Sequence, residues 1–127
     1  MFLGRINDFV TTSANQIIPF ITKINSNKNT SNSAGVISLR KAGYYNLDAN
    51  LYISGVAGVV TATVYADGVP TDNVASATTA VAGVASLSLT DVIRAAISQF
   101  PDVATISIVL DTAGVSVDGT VRVEYVK

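Results

Sequence analysis

Histidine, cysteine and tryptophan are all missing from the chain, and each absence removes a class of chemistry. Without histidine, the commonest general base and the commonest transition-metal ligand go together. Without cysteine there is no thiolate nucleophile, no thiolate zinc site and no disulfide. Cohesion must come from packing or from association of subunits. Charge is scarce too: eight basic and nine acidic side chains leave a net charge of -1, and only 13% of residues are charged, against about a quarter in an average soluble domain. No segment gathers enough Lys or Arg to neutralise a row of phosphates, so nucleic acid is not an expected partner. Low charge also suits surfaces that are buried between subunits. No apolar run approaches the length of a membrane span. Near the start, Gly4, Arg5, Asn7 and Asp8 interrupt Phe2, Leu3 and Ile6 before they form the apolar stretch of a signal peptide. A membrane is therefore not an expected partner either.

What is present is a β-rich and turn-rich mixture. Val, Ala, Ile and Leu supply most of the 49% apolar fraction, and Thr, Ser, Gly and Asn much of the rest. A chain of 127 residues hides roughly two-thirds of its unfolded surface around a single core. The clearest element covers residues 44–54, where Tyr45, Leu47, Ala49, Leu51 and Ile53 project to one side and Asn46, Asp48, Asn50 and Tyr52 to the other. That alternation describes a half-buried antiparallel strand. Residues 59–66 continue the style and stop at Asp67-Gly68, a pair that supplies the positive φ angles of a tight hairpin. Weaker strands are expected over 16–25, 36–39, 74–81 and 85–89, and two more over 105–110 and 120–126. Pro19 argues for an edge position in the first of these, and residues 25–33 read as a polar loop.

Two segments break the pattern. Over residues 91–100, Val92, Ile93, Ala96, Ile97 and Phe100 have helical spacing, Thr90 is placed to cap the first turn, and Pro101 ends it. One short helix is expected there. At the start, Phe2, Leu3, Ile6, Phe9 and Val10 recur at i, i+1, i+4, i+7 and i+8, one face of a helical pattern. These five residues read either as an amphipathic arm or as a frayed leader that packs loosely on its own domain. The expected organisation is an N-terminal arm over 1–12 and a head domain over 13–127. The head is all-β, a sandwich or jelly roll of about eight to ten antiparallel strands.

Residues able to do chemistry are scattered. Asp67, Asp72, Asp102, Asp111 and Asp118 fall in expected turns, at spacings that match no calcium loop; Asp is favoured in turns for its own backbone hydrogen bonds. There is no Gly-x-Ser-x-Gly elbow and no Gly-rich phosphate loop. No catalytic residue, metal site or cofactor is assigned, and an enzyme is not expected. Tyr44, Tyr52, Tyr65 and Tyr125 remain notable, because tyrosine joins a large apolar ring to a polar tip and is enriched where surfaces meet. Tyr45 is assigned to the core.

Gly43-Tyr44-Tyr45-Asn46-Leu47, opening a long alternating strand after Val36-Ile37-Ser38-Leu39, resembles the signature of the tumour-necrosis-factor-like and complement-type globular heads. Thr61-Ala62-Thr63-Val64-Tyr65-Ala66-Asp67-Gly68 and the terminal Val121-Arg122-Val123-Glu124-Tyr125-Val126-Lys127 are similar to elements of short bacterial and bacteriophage members. The resemblance covers residues 16–127. It implies a ten-stranded jelly roll that trimerises about a threefold axis, with Tyr125, Val123 and Tyr65 at the trimer interface. It also implies a structural role on a phage virion, as a capsid decoration or head fibre held to a capsid or other virion protein through the N-terminal arm, with Phe2, Leu3, Ile6, Phe9 and Val10 as the particle anchor. A receptor-binding head for a cell-surface glycan or protein is the alternative.

Overall fold

The computed structural model describes residues 1–26, 28–96 and 104–127. Eleven strands run through them: β1 (Phe2–Val10), β2 (Gln16–Ile17), β3 (Ile21–Asn25), β4 (Thr30–Ser33), β5 (Val36–Leu39), β6 (Gly43–Ser54), β7 (Gly58–Ala66), β8 (Val69–Thr79), β9 (Ala85–Ala95), β10 (Ala104–Leu110) and β11 (Ser116–Tyr125). They form two antiparallel sheets. One has five strands in the order β3-β1-β11-β6-β9; the other has the order β4-β5-β10-β7-β8, with β2 sharing an edge of β10. This is the all-β sandwich that alternation and composition predict, a jelly roll.

The alternating strands make the core. In β6, Tyr45, Leu47, Ala49, Leu51 and Ile53 are buried while Tyr44, Asn46, Asn50 and Tyr52 face solvent. Val117, Val121 and Val123 of β11 join them from the adjacent strand. The facing sheet contributes Val60, Ala62 and Val64 of β7, with Ile106, Ile108 and Leu110 of β10. The expected Asp67-Gly68 hairpin is present, with φ of 52° and 78°, joining Ala66 to its partner Val69. Asp67 also ties the hairpin to β10: its Oδ1 accepts from Thr105 N–H at 2.9 Å and its own N–H donates to Thr105 C=O at 2.9 Å.

Three expectations are corrected. Residues 2–10 are a strand between β11 and β3, where a helical arm is expected. Phe2 and Ile6 are 0% and 1% exposed, so they belong to the head's own core. The spacing misleads because positions i and i+4 share a face in both a helix and a strand. Leu3 and Arg5 decide the matter by pointing outward between Phe2, Gly4 and Ile6. Second, residues 91–95 extend β9, with Ile93 opposite Tyr45 and Asp91 opposite Leu47, so the short helix is absent there. Residues 97–100 of that expected helix lie outside the described residues. Third, residues 16–25 do not form one strand, since β2 and β3 belong to different sheets. Pro19 sits at the crossing between them, where no ladder bond is asked of its nitrogen, and β3 beyond it does take an edge position.

Candidate functional site

Tyr125 lies at the end of the sandwich that holds both termini. Phe2 pairs with Val123, Tyr44 N–H donates to Lys127 C=O at 2.7 Å, and Val126 N–H donates to Tyr44 C=O at 2.8 Å. The Tyr125 ring packs edge-on against Tyr45 at 5.3 Å and 67°, and Lys41 Nζ sits 4.2 Å from its centre, a cation-π geometry. Tyr45 is fully buried and donates its hydroxyl to Lys41 C=O at 2.6 Å. Burial, and secondarily Tyr125, hold that hydroxyl above its ordinary value of 10.0, while the bond to the Lys41 carbonyl offsets part of the rise. Much of the Tyr125 ring is therefore spent inside its own protomer.

The three residues expected at a trimer interface are not brought together. Val123 is 2% exposed and belongs to the core. Tyr65 stands on the outer side of β7, in the other sheet, opposite Ser107 and Pro70. Of the five anchor residues, Phe2 and Ile6 are internal, Leu3 and Phe9 are half-buried, and Val10 is 50% exposed.

The surface that sequence reasoning missed lies at the opposite edge. β8 and β9 end their sheets side by side, joined where Asn73 Nδ2 donates to Thr90 C=O at 3.0 Å. Residues 73–90 contain no charged side chain at all. Along this edge Val74 and Val92 are 54% and 59% exposed, and Val81 and Val84 in the connection are more so. Small Ala75, Ala77 and Ala85 separate them, half-buried. The signal was present as a charge-free run; what was hidden is that its two halves lie on adjacent edges. On the neighbouring outer face Thr120, Asn50 and Ser88 stand side by side across β11, β6 and β9, with Arg122 opposite Asp48 and Tyr52 52% exposed beside them.

Among the described residues no group of three or more carboxylates is placed to hold a metal ion, and two of the turn aspartates accept from backbone N–H groups of other strands. Asp111 Oδ1 accepts from Thr61 N–H at 2.9 Å, and Asp118 Oδ1 from Asp8 N–H at 3.0 Å. Asp102 lies outside the described residues.

No family model matches the chain, and no curated protein sequence does. Solved structures do. The globular domain of a zebrafish complement 1qA protein superposes with a TM-score of 0.70 at 10% identity, covering 95% of this chain and 94% of that one. Murine APRIL gives 0.69 at 11%, covering 95% and 98%. The fold is the tumour-necrosis-factor-like jelly roll. A bacteriophage protein shares it: PRD1 vertex protein P5 superposes at 0.60 with 15% identity, covering 99% of this chain and 96% of that one. The expected resemblance is thus met at the level of fold.

Proposed function

We propose that the chain is a non-enzymatic, homotrimeric structural head carried on a bacteriophage virion. The observation that carries the reading is the charge-free run over residues 73–90, which spans adjoining parts of β8 and β9, on a jelly roll similar to both complement-type heads and a phage vertex protein. Exposed Val74 and Val92 have no partner surface of their own kind within the protomer. A contact between this edge and the outer face of a neighbour's β11–β6–β9 region is heterologous, and a heterologous contact closes into a ring when its rotation allows. Three copies close it here. The virion location is supported by the likeness to the vertex protein. The absence of histidine and cysteine supports a structural role over catalysis.

Attachment to a capsid or other virion protein runs through the head's own surface, because Phe2 and Ile6 are internal. Of the five residues first assigned to the anchor, Val10 keeps the most surface, but it lies beside Ser116 at the pole away from the termini. With both termini at one end of the sandwich, docking there displays the opposite pole, where Val81 and Val84 lie, outward. Light scattering coupled to size exclusion tests the assembly, with three times the chain's 13.1 kDa expected. Antibody labelling of intact particles of the encoding phage tests the location. A monomer in the first assay removes the trimer, and unlabelled particles in the second remove the virion role.

A further inference from the structure

At the edge away from β8 and β9, a groove of about 710 Å³ opens between β1, β3 and the β4–β5 turn, within the size range of ligand pockets. Its floor is apolar and held in place. Phe20 is 4% exposed and packs at 6.1 Å on Phe2. Its ring lies so close over Gly4 that a Cβ there would stand 2.5 Å from it. Phe9, Pro19 and Ile21 complete the floor.

The rim is polar and unusually shaped. The pairing of β1 with β11 slips between Ile6 and Phe9, so Asn7 and Asp8 form a bulge, a device that re-aims side chains and is frequent beside binding sites. Asp8 has φ of 50°, a left-handed conformation that costs a non-glycine residue energy. The bulge places Asn7 and Asp8 on the groove with Arg5. Among the described residues, none of these three side chains has a hydrogen-bond or ion-pair partner. Elsewhere on the rim, Asn32 is already engaged with Phe20 C=O and Gly35 N–H.

We propose that this groove is a binding site for a neutral saccharide. A pyranose presents an apolar C–H face together with hydroxyls that both donate and accept. The groove offers an apolar floor, donors from Arg5 and Asn7, and acceptors from Asn7 and Asp8. One cation and one anion on the rim balance, which favours an uncharged ligand over a phosphate or an acidic sugar. The assignment deepens the reading of the chain as a displayed head and rests on it.

The test is a titration of the isotope-labelled full chain with maltose, lactose, cellobiose and chitobiose, following the backbone amides of Arg5, Asn7, Asp8, Thr22 and Asn32 by NMR. At least one disaccharide is expected to shift these signals saturably, with Kd of order 1 mM, and Asn7→Ala and Asp8→Gly each weaken it about tenfold or more. Glycine accepts the φ of position 8, so Asp8→Gly removes the carboxylate without straining the fold; an unchanged melting temperature in both variants verifies this. If no disaccharide moves those amides, or if the shifts survive both substitutions, the saccharide site is wrong. If the amides of Ile21–Asn25 broaden as protein concentration rises without sugar, a second copy occupies the edge and the proposal also falls. Light scattering on the same samples separates the two readings: a trimer that ignores every disaccharide overturns the groove alone, and a monomer overturns the trimeric head.

Discussion

Removing residues 1–10 distinguishes a strand from an arm. An arm can be cut away and leave a folded head; β1 cannot, because it lies between β11 and β3 and brings two side chains into the core. Truncating a buried Phe costs about 3–5 kcal/mol and a buried Ile about 2–5 kcal/mol. Phe2 and Ile6 together are therefore worth roughly 5–10 kcal/mol, before the ladder bonds to β11 and the loss of the only sheet partner that β3 has among the described residues. A domain of this size has about 5–15 kcal/mol of stability in all. The deletion is expected to abolish folding: inclusion bodies, or soluble chain without cooperative melting by circular dichroism. Single substitutions grade the same argument. Ile6→Ala should lower the melting temperature by roughly 10 °C, taking about 3 kcal/mol at about 4 °C per kcal/mol, while Val10→Ala should move it by less than about 2 °C. A deletion variant that melts cooperatively near the wild-type temperature refutes the placement of β1 in the sheet and restores the independent arm.

Val92→Asp should leave the protomer's melting nearly unchanged, because the side chain is mostly exposed in one copy, yet dissociate the proposed trimer at micromolar concentration, since it buries an unpaired carboxylate at each of three contacts; light scattering that still reports a trimer would clear this edge of any role. Gly119→Ala should cost about 3 kcal/mol or more in denaturant unfolding, because φ there is 149° and an added Cβ would stand 2.1 Å from Asn50 C=O; a change in midpoint equivalent to less than about 1 kcal/mol would show that the approach of β11 to β6 is looser than described. Stability measured against pH should be flat between about pH 5 and 9, where no side chain of this composition ordinarily titrates. It should fall above pH 10, as Tyr45 ionises more readily in the unfolded chain, at its ordinary 10.0, than in the fold. Tyr45→Phe should remove that part of the alkaline loss, and an identical alkaline slope in the variant would contradict the assignment.

The elements that were legible are those in which one periodicity alone fits. β6 alternates over Tyr45 to Ile53 without a helical alternative, and Asp67-Gly68 has one natural use between two β-prone runs. β1 was illegible for the opposite reason: Phe2 and Ile6 satisfy both periods, and Leu3, Phe9 and Val10 were read as extending the helical one. In the structure those three fall on different sides because the bulge at Asn7-Asp8 shifts the strand by one residue. A signal did exist. Two turn-forming residues of the kind that tolerate positive φ stood in the middle of an otherwise apolar pattern, and they mark a bulge in a strand as well as the polar side of a helix.

The interaction surfaces were harder to read, because adjacency across sheets is not written along the chain. Alternation places Val123 inward correctly, since it is in phase with Val121, yet the likeness to trimeric heads drew it toward an interface along with Tyr125. The two arguments compete, and packing decides. A valine flanked by Phe2 and Leu47 in neighbouring strands gains about 1.5–3 kcal/mol from burial within its own protomer, and no partner subunit can reach it without opening the sandwich. Interface residues in this fold have to be sought among side chains that the monomer leaves exposed. On β8 and β9 these include Val69, Val74 and Val92, the last out of phase with buried Leu87 and Leu89. Their exposure next to a run without charge, rather than their kinship to any motif, is what makes that edge the physical candidate for assembly.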